Sequence, residues 1–197
     1  MSGVRDAIDF IAELRQTPKA DVAVGRRVVV IGGGNTAIDA ATQARRLGAE
    51  DVTIVYRRGP EHMTATGKEQ KWAQTNNVRI RHWAAPSRLI GQDGIVTGVE
   101  FARTQQDAAG RLTLTAETFV LDADMVLKAI GQAFDPDPLD NVVLLTGDGR
   151  IAVDADRRTS MPNVYAGGDC VPGADLTVTA VQDGKLAAAS IHRQLNA

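Results

Sequence analysis

Six consecutive residues, Gly32-Gly33-Gly34-Asn35-Thr36-Ala37, hold the strongest chemical signal in the sequence. A β-branched run, Arg27–Ile31, precedes them, and the amphipathic stretch Asn35–Leu47 follows. The glycines therefore fall between a strand and a helix, where the pattern G-x-G-x-x-G/A has a physical meaning. Gly32 permits a tight turn, and Gly34 removes the side chain where a pyrophosphate would approach the backbone. Ala37 lets the helix lie close to the sheet. The free N–H groups and positive end of that helix then face the phosphates. A glycine turn with no ligand is the plain alternative, and the strand–helix setting favours a dinucleotide.

The end of the next strand, Val52–Tyr56, separates the two pyridine nucleotides. An NAD site puts Asp or Glu there for the ribose 2′-hydroxyl. The nearby acids Glu50 and Asp51 precede the strand and lie at its wrong end. At the correct end stand Arg57 and Arg58. A guanidinium pairs bidentately with phosphate, so this pair points to a 2′-phosphate and NADP(H). Two solvated surface arginines are the alternative. The missing acid also argues against S-adenosylmethionine chemistry. Neither Tyr56 nor Tyr165 has a lysine four residues later, as a short-chain dehydrogenase would. The histidines His62, His82 and His192 suggest no Ser-His-Asp set, and Trp72 and Trp83 read as packing residues.

The elements that must position these groups follow from periodicity. Val4, Ala7, Ile8, Ile11 and Leu14 have helical spacing, Pro18 stops it, and Thr17–Arg26 reads as a linker. Strand, turn, helix and strand from Arg27 to Tyr56 make a βαβ unit, hence a parallel sheet. Gly48 sits where a helix C′ residue belongs. Lys68–Gln74 is a weak helix and Val78–His82 a short strand. Ser87–Ile90, Ile95–Arg103 and Leu112–Leu121 are strand-like stretches. Their turns, Gln92-Asp93-Gly94 and Gln106–Gly110, suit an antiparallel meander. Met125–Ile130 is a buried-type strand ending at Gly131, followed by a Pro/Asp-rich loop from Asp135 to Asp140. Strands near Ile151–Val153 and Val164–Ala166, a glycine loop Gly167–Gly173 and a helix from Val178 to Gln194 close the chain.

Composition narrows the class. The 197 residues are 44% apolar and 23% charged, enough for one sizeable core, and the net charge is −2. No overall basic field suits nucleic acid or an anionic membrane. The longest apolar runs have four residues, as at Val28–Ile31 and Val142–Leu145, too short for a membrane helix. Asp6, Asp9 and Glu13 interrupt the first apolar stretch, which does not read as a signal peptide. Cys170 is the single cysteine, so this sequence holds no Cys-x-x-Cys pair and no all-cysteine iron–sulfur site. A cytoplasmic location is expected.

Several segments taken together carry a family resemblance. Val29-Val30-Ile31-Gly32-Gly33-Gly34-Asn35-Thr36-Ala37-Ile38-Asp39 and Val52-Thr53-Ile54-Val55-Tyr56-Arg57-Arg58 resemble the pyridine-nucleotide domain of flavoprotein reductases. That group contains the glutamate synthase small subunit and dihydropyrimidine dehydrogenase. Phe101–Asp107, Ala129-Ile130-Gly131-Gln132 and Tyr165-Ala166-Gly167-Gly168-Asp169 are similar as well. The Arg103–Asp107 run and Gln182-Asp183-Gly184-Lys185 look most like dihydropyrimidine dehydrogenase and its bacterial NAD(P)-binding subunit, with glutamate synthase second.

The resemblance implies that Gly32, Gly33, Gly34, Asn35 and Thr36 hold the nucleotide and that Arg57 and Arg58 take its 2′-phosphate. It implies that Ala129, Ile130 and Gly131 line the nicotinamide half, where a glycine at a strand end removes a side chain. NAD is also accommodated, because Met63-Thr64 stands where relatives carry a further basic residue. Gly168 and Asp169 would lie against the ribityl and phosphate region of FAD, and Leu176 and Thr177 would begin a helix aimed at the flavin.

The resulting expectation is an α/β protein: a Rossmann-like nucleotide-binding domain with a parallel sheet and antiparallel meander, plus the C-terminal part of a split FAD-binding domain. Its segments are 1–26, the helix and linker from a preceding flavin half; 27–134, the NAD(P)H-binding domain; and 135–197, the flavin segment. Whole reductases of this type carry an earlier glycine fingerprint and cysteine clusters. Neither stands before Gly32, so the chain reads as a piece of a longer protein, inactive alone and unable to retain FAD stoichiometrically. In the intact protein, hydride would pass from NADPH to FAD and on to a subunit or domain carrying FMN or iron–sulfur clusters. No side-chain acid or base is nominated, because the chemistry belongs to the cofactors. A non-catalytic NADP(H)-binding module is the competing class. The helices Val4–Leu14 and Val178–Gln194 are expected to pack together or to drive homodimerisation.

Overall fold

The computed structural model describes residues 1–136 and 143–196. They divide into two units, Met1–Gly131 and Gln132–Ala197. Strands β1 (Val4–Asp6), β2 (Arg27–Gly32), β3 (Asp51–Val55), β4 (Val78–Arg81) and β8 (Met125–Ala129) form a parallel sheet in the order β1-β8-β2-β3-β4. Strands β5 (Ala84–Gln92), β6 (Ile95–Gln106) and β7 (Leu112–Asp122) form the antiparallel meander. Helices α1 (Ala7–Gln16), α2 (Asn35–Arg46) and α3 (Gly67–Thr75) complete the first unit, and α4 (Thr177–Leu195) lies in the second.

Strand β2 is apolar at every position from Val28 to Ile31 because both its faces are covered. Val28 and Val30 join Val52, Ile54 and Leu127 under the helices. Val29 and Ile31 join Val55 and Val126 under the meander, with Val96, Val99 and Phe101. Helix α2 buries Ala37, Ala40, Ala41 and Ala44, whose small side chains let its axis approach the strands. The meander turn is the two-residue loop Asp93-Gly94, with φ of 51° and 77° and the closing pair Gln92↔Ile95. Both left-handed residues match the turn type that follows strand twist.

The N-terminal reading needs correction. Val4 is a strand residue, paired with Val126, and the helix starts at Ala7. Ladder hydrogen bonds to β8 outweigh helical spacing for Val4–Asp6. Residues 1–26 belong to the first unit. Phe10 and Ala7 are fully buried against α2 and the sheet, and Val22 joins the same core. Within α1, Ala7 and Phe10 are thus committed to this core, while Ile8 stays exposed. In the second unit, Ile151 and Tyr165 each make one isolated bridge, to Leu145 and Arg158, and among the described residues no strand forms there. Asp154 accepts from the amides of Asp156 and Arg158, and Arg157 and Asn163 have positive φ, so turns interrupt any ladder. Of the Asp135–Asp140 loop, residues 137–140 lie outside the described residues, as does Val142.

The second meander turn is organised by Asp107, whose carboxylate accepts from the amides of Ala109 and Arg111 and from the Arg111 guanidinium, at 2.8–2.9 Å. The Arg111 amide and side chain hold this carboxyl below the usual range. A depressed acid stabilises the fold above its unfolded pKa, and that contribution disappears as pH falls through the folded value. A carboxyl-carbon NMR titration should give Asp107 a midpoint below that of a free aspartate, with the Arg111 amide shift following it. A midpoint at or above the free value would contradict the turn.

Candidate functional site

Strand register brings the glycine turn and the end of β8 together, since Gly32 pairs with Ala129. Gly32 has a φ of 151°, and a Cβ there would fall on the carbonyl of Ala129. A Cβ at Gly33 would enter the ring of Tyr56. These two glycines are therefore required by packing. Gly34 differs: its φ is −98°, and a Cβ would meet only Thr64 Oγ1, at 3.1 Å. The space in front of Gly34 is open, and a phosphate needs that space. Gly34 is also the N-cap of α2, and no side chain caps the helix. Asn35 and Thr36 then begin a helix whose first-turn amides have no carboxylate or hydroxyl competitor from the cap.

Arg57 and Arg58 follow β3 at the same end of the sheet. The acids that might have bound them are used elsewhere. Glu50 holds the Arg26 guanidinium at 2.8 and 2.9 Å, and Asp51 pairs with Arg79. Glu61, three residues beyond Arg58, lies 3.5 Å from His62 Nε2. Among the described residues neither Arg57 nor Arg58 forms an ion pair, and Arg58 Nε is buried without a partner. Burial pushes the His82 imidazole below its usual range, which favours its neutral form.

The loop carrying these arginines folds back beneath the glycine turn. Tyr56 OH donates to His62 O at 2.7 Å, and the Ala65 amide donates to Gly33 O at 3.1 Å. Met63 is buried, and Thr66 opens α3 with a reciprocal capping box to Glu69. Thr64 consequently presents its hydroxyl at the mouth of the turn, a position that sequence reading marked only as a departure from relatives. The pairing Ala65–Gly33 had no local signal. Trp72 is half-exposed with the Arg46 guanidinium 5.1 Å from its ring centre, so it covers a helix surface rather than filling the core.

At the end of β8, Ile130 is 75% exposed and Gly131 has a φ of 105°. An apolar side chain projecting into solvent beside the glycine turn is suited to contact with a planar ring. Ala129, Ile130 and Gly131 thus share one edge with Gly32–Thr36.

The second unit holds the remaining candidates. Asp169 lies in a short 3-10 turn, Gly168–Cys170, and is exposed with no ion pair among the described residues. Leu176 is the N-cap of α4 and Thr177 its first residue, again without a side-chain cap. Asp183 is 2% exposed and organises this loop. Its Oδ2 accepts from the Gly168 amide at 3.0 Å, and Arg157 pairs with it at 2.6 Å. A Cβ on Gly167 would approach Asp183 Cβ to 2.6 Å, so glycine is needed for the close approach. Cys170 packs against a small cluster around Val143, Ile151 and Val171. No helix among the described residues is long and apolar enough to cross a membrane.

Comparison with known proteins agrees with this architecture. The family model described as "Pyridine nucleotide-disulphide oxidoreductase" matches residues 2–184. The chain is 39% identical over 182 residues to the glutamate synthase (NADPH) small chain of Azospirillum brasilense, covering 86% of this chain and 37% of that one. It is 38% identical over 178 residues to the NADP(+)-dependent formate dehydrogenase subunit beta of Moorella thermoacetica, covering 87% and 25%. The chain therefore spans well under half the length of these curated relatives. The crystal structure of T. acidophilum thioredoxin reductase superposes with a TM-score of 0.77 at 25% identity, covering 99% of this chain and 58% of that one. With a family model matched over nearly its whole sequence, the chain belongs to the pyridine nucleotide-disulphide oxidoreductases.

Proposed function

We propose that Met1–Gly131 is the NADP(H)-binding portion of a flavoprotein oxidoreductase, and that Gln132–Ala197 supplies part of its flavin site. The observation that carries this reading is the pair Arg57 and Arg58, which form no ion pair among the described residues, at the same strand ends as the uncapped glycine turn. Gly34, Asn35 and Thr36 would hold the pyrophosphate by backbone amides, and Gly32 and Gly33 keep the turn tight. Arg57 and Arg58 would bind the 2′-phosphate, and Ala129, Ile130 and Gly131 would bound the nicotinamide. Asp169 would accept from flavin hydroxyls, with the N-terminus of α4 at Leu176-Thr177 beside it. When bound, the two cofactors supply the hydride chemistry. The protein's part is to bind, orient and shield them. With one cysteine, Cys170, this stretch offers no dithiol of its own, so electrons would leave through another domain or subunit.

The names of the relatives support a larger NADPH-linked assembly of the glutamate synthase type. The Arg103–Asp107 and Gln182–Lys185 runs support the dihydropyrimidine dehydrogenase branch as a second reading. Family membership favours an oxidoreductase over a non-catalytic nucleotide module. Calorimetric titration of the chain with NADPH and with NADH tests the central reading. NADPH should bind at least several-fold tighter, and equal affinities would overturn the assignment of the arginines.

A further inference from the structure

Strand β6 carries a buried polar residue with a specific aim. Thr104 is 5% exposed, and its Oγ1 donates to the Arg57 carbonyl at 2.7 Å. Its amide donates to Trp83 O at 3.0 Å, and the Trp83 amide donates to Arg58 O at 3.2 Å. The carbonyls of both arginines are therefore held, one by Thr104 directly and one through Trp83. Two local irregularities make this possible. The pairing of β6 with β7 slips between Ala102 and Thr104, which re-aims the strand as bulges do. Trp83 has a φ of 59°, a left-handed conformation that a bulky side chain adopts only when its surroundings impose it. Further along β6, Gln106 Oε1 lies 3.2 Å from His62 Nε2 in the same loop.

We propose that Thr104 is a positioning residue for nucleotide choice, its hydroxyl fixing the Arg57 backbone so that the guanidinium pair is directed at a 2′-phosphate. This rests on the NADP(H) reading above. The physical reason is that no acid orients either guanidinium among the described residues, so backbone anchoring sets their direction. The glycine turn also has direct supports of its own, the Ala65 amide bonded to Gly33 O and the Tyr56 ring packed against Gly33. Loss of the hydroxyl should therefore affect recognition of the 2′-phosphate and leave pyrophosphate binding intact.

The test is calorimetry on the chain with NADPH and NADH, comparing Thr104→Val, Thr104→Ser and Arg57→Ala, with thermal melts alongside. Thr104→Val should weaken NADPH about fivefold, as loss of one neutral hydrogen bond does, with NADH within about twofold of the parent. Thr104→Ser, which keeps the hydroxyl, should restore NADPH binding. In the Arg57→Ala background, Thr104→Val should have no further effect on NADPH. If the Val variant does not fold, Thr104→Ala removes the same hydroxyl with less bulk and carries the same comparison. If Arg57→Ala leaves NADPH unchanged, the 2′-phosphate reading itself fails. If Arg57→Ala weakens NADPH while loss of the Thr104 hydroxyl has no effect, or weakens both nucleotides equally, the reading stands and the positioning role is overturned.

Discussion

Gly34→Val should abolish measurable binding of both NADPH and NADH while leaving a folded protein. The distinction from its neighbours makes this test clean. A side chain at Gly32 would strike the Ala129 backbone, and one at Gly33 the Tyr56 ring, so those variants damage the fold itself. At Gly34 the φ of −98° suits any residue, and the new Cβ meets only the Thr64 hydroxyl, at 3.1 Å. Thr64 is exposed and can move. Losing glycine from the N-cap costs about 1 kcal/mol, which a domain with this core tolerates. The space that Val fills is the space a pyrophosphate needs to reach the Asn35 and Thr36 amides. Circular dichroism and a thermal melt establish folding, and calorimetry reads binding. Normal affinity in the folded variant would place the phosphates elsewhere.

The second large effect is expected from Arg57→Ala. A hydrogen bond to a charged group contributes about 1.5–3 kcal/mol, so NADPH affinity should fall about tenfold or more. NADH, which lacks the 2′-phosphate, should bind as before. Arg57 is the better probe of the two arginines because it is exposed, whereas Arg58 has a buried Nε and its truncation also removes packing. The NADPH preference should also shrink as salt is raised, since an exposed guanidinium is screened over about 10 Å at 0.1 M. Equal losses for both nucleotides would show that Arg57 supports the loop rather than the 2′-phosphate.

The strand–turn–helix–strand unit, the meander and the arginine pair are all legible in the order of residues alone. These depend on local rules: a continuous apolar run for a strand buried on both faces, small residues on the inner face of α2, and a two-residue turn at Asp93-Gly94. Other features arise from contacts between distant segments. Val4–Asp6 has helical spacing but becomes an edge strand, because β8, more than a hundred residues later, offers it a ladder. The strand-like runs at Ile151 and Tyr165 remain single bridges because side-chain-bonded turns at Asp154 and left-handed residues interrupt them. The anchoring of Arg57 by Thr104 spans 47 positions, and the hold of Asp183 on Gly168 spans 15. Neither leaves a periodic trace. A buried hydroxyl or carboxylate gains its role from the one acceptor or donor that the fold brings beside it, and sequence spacing does not encode that meeting.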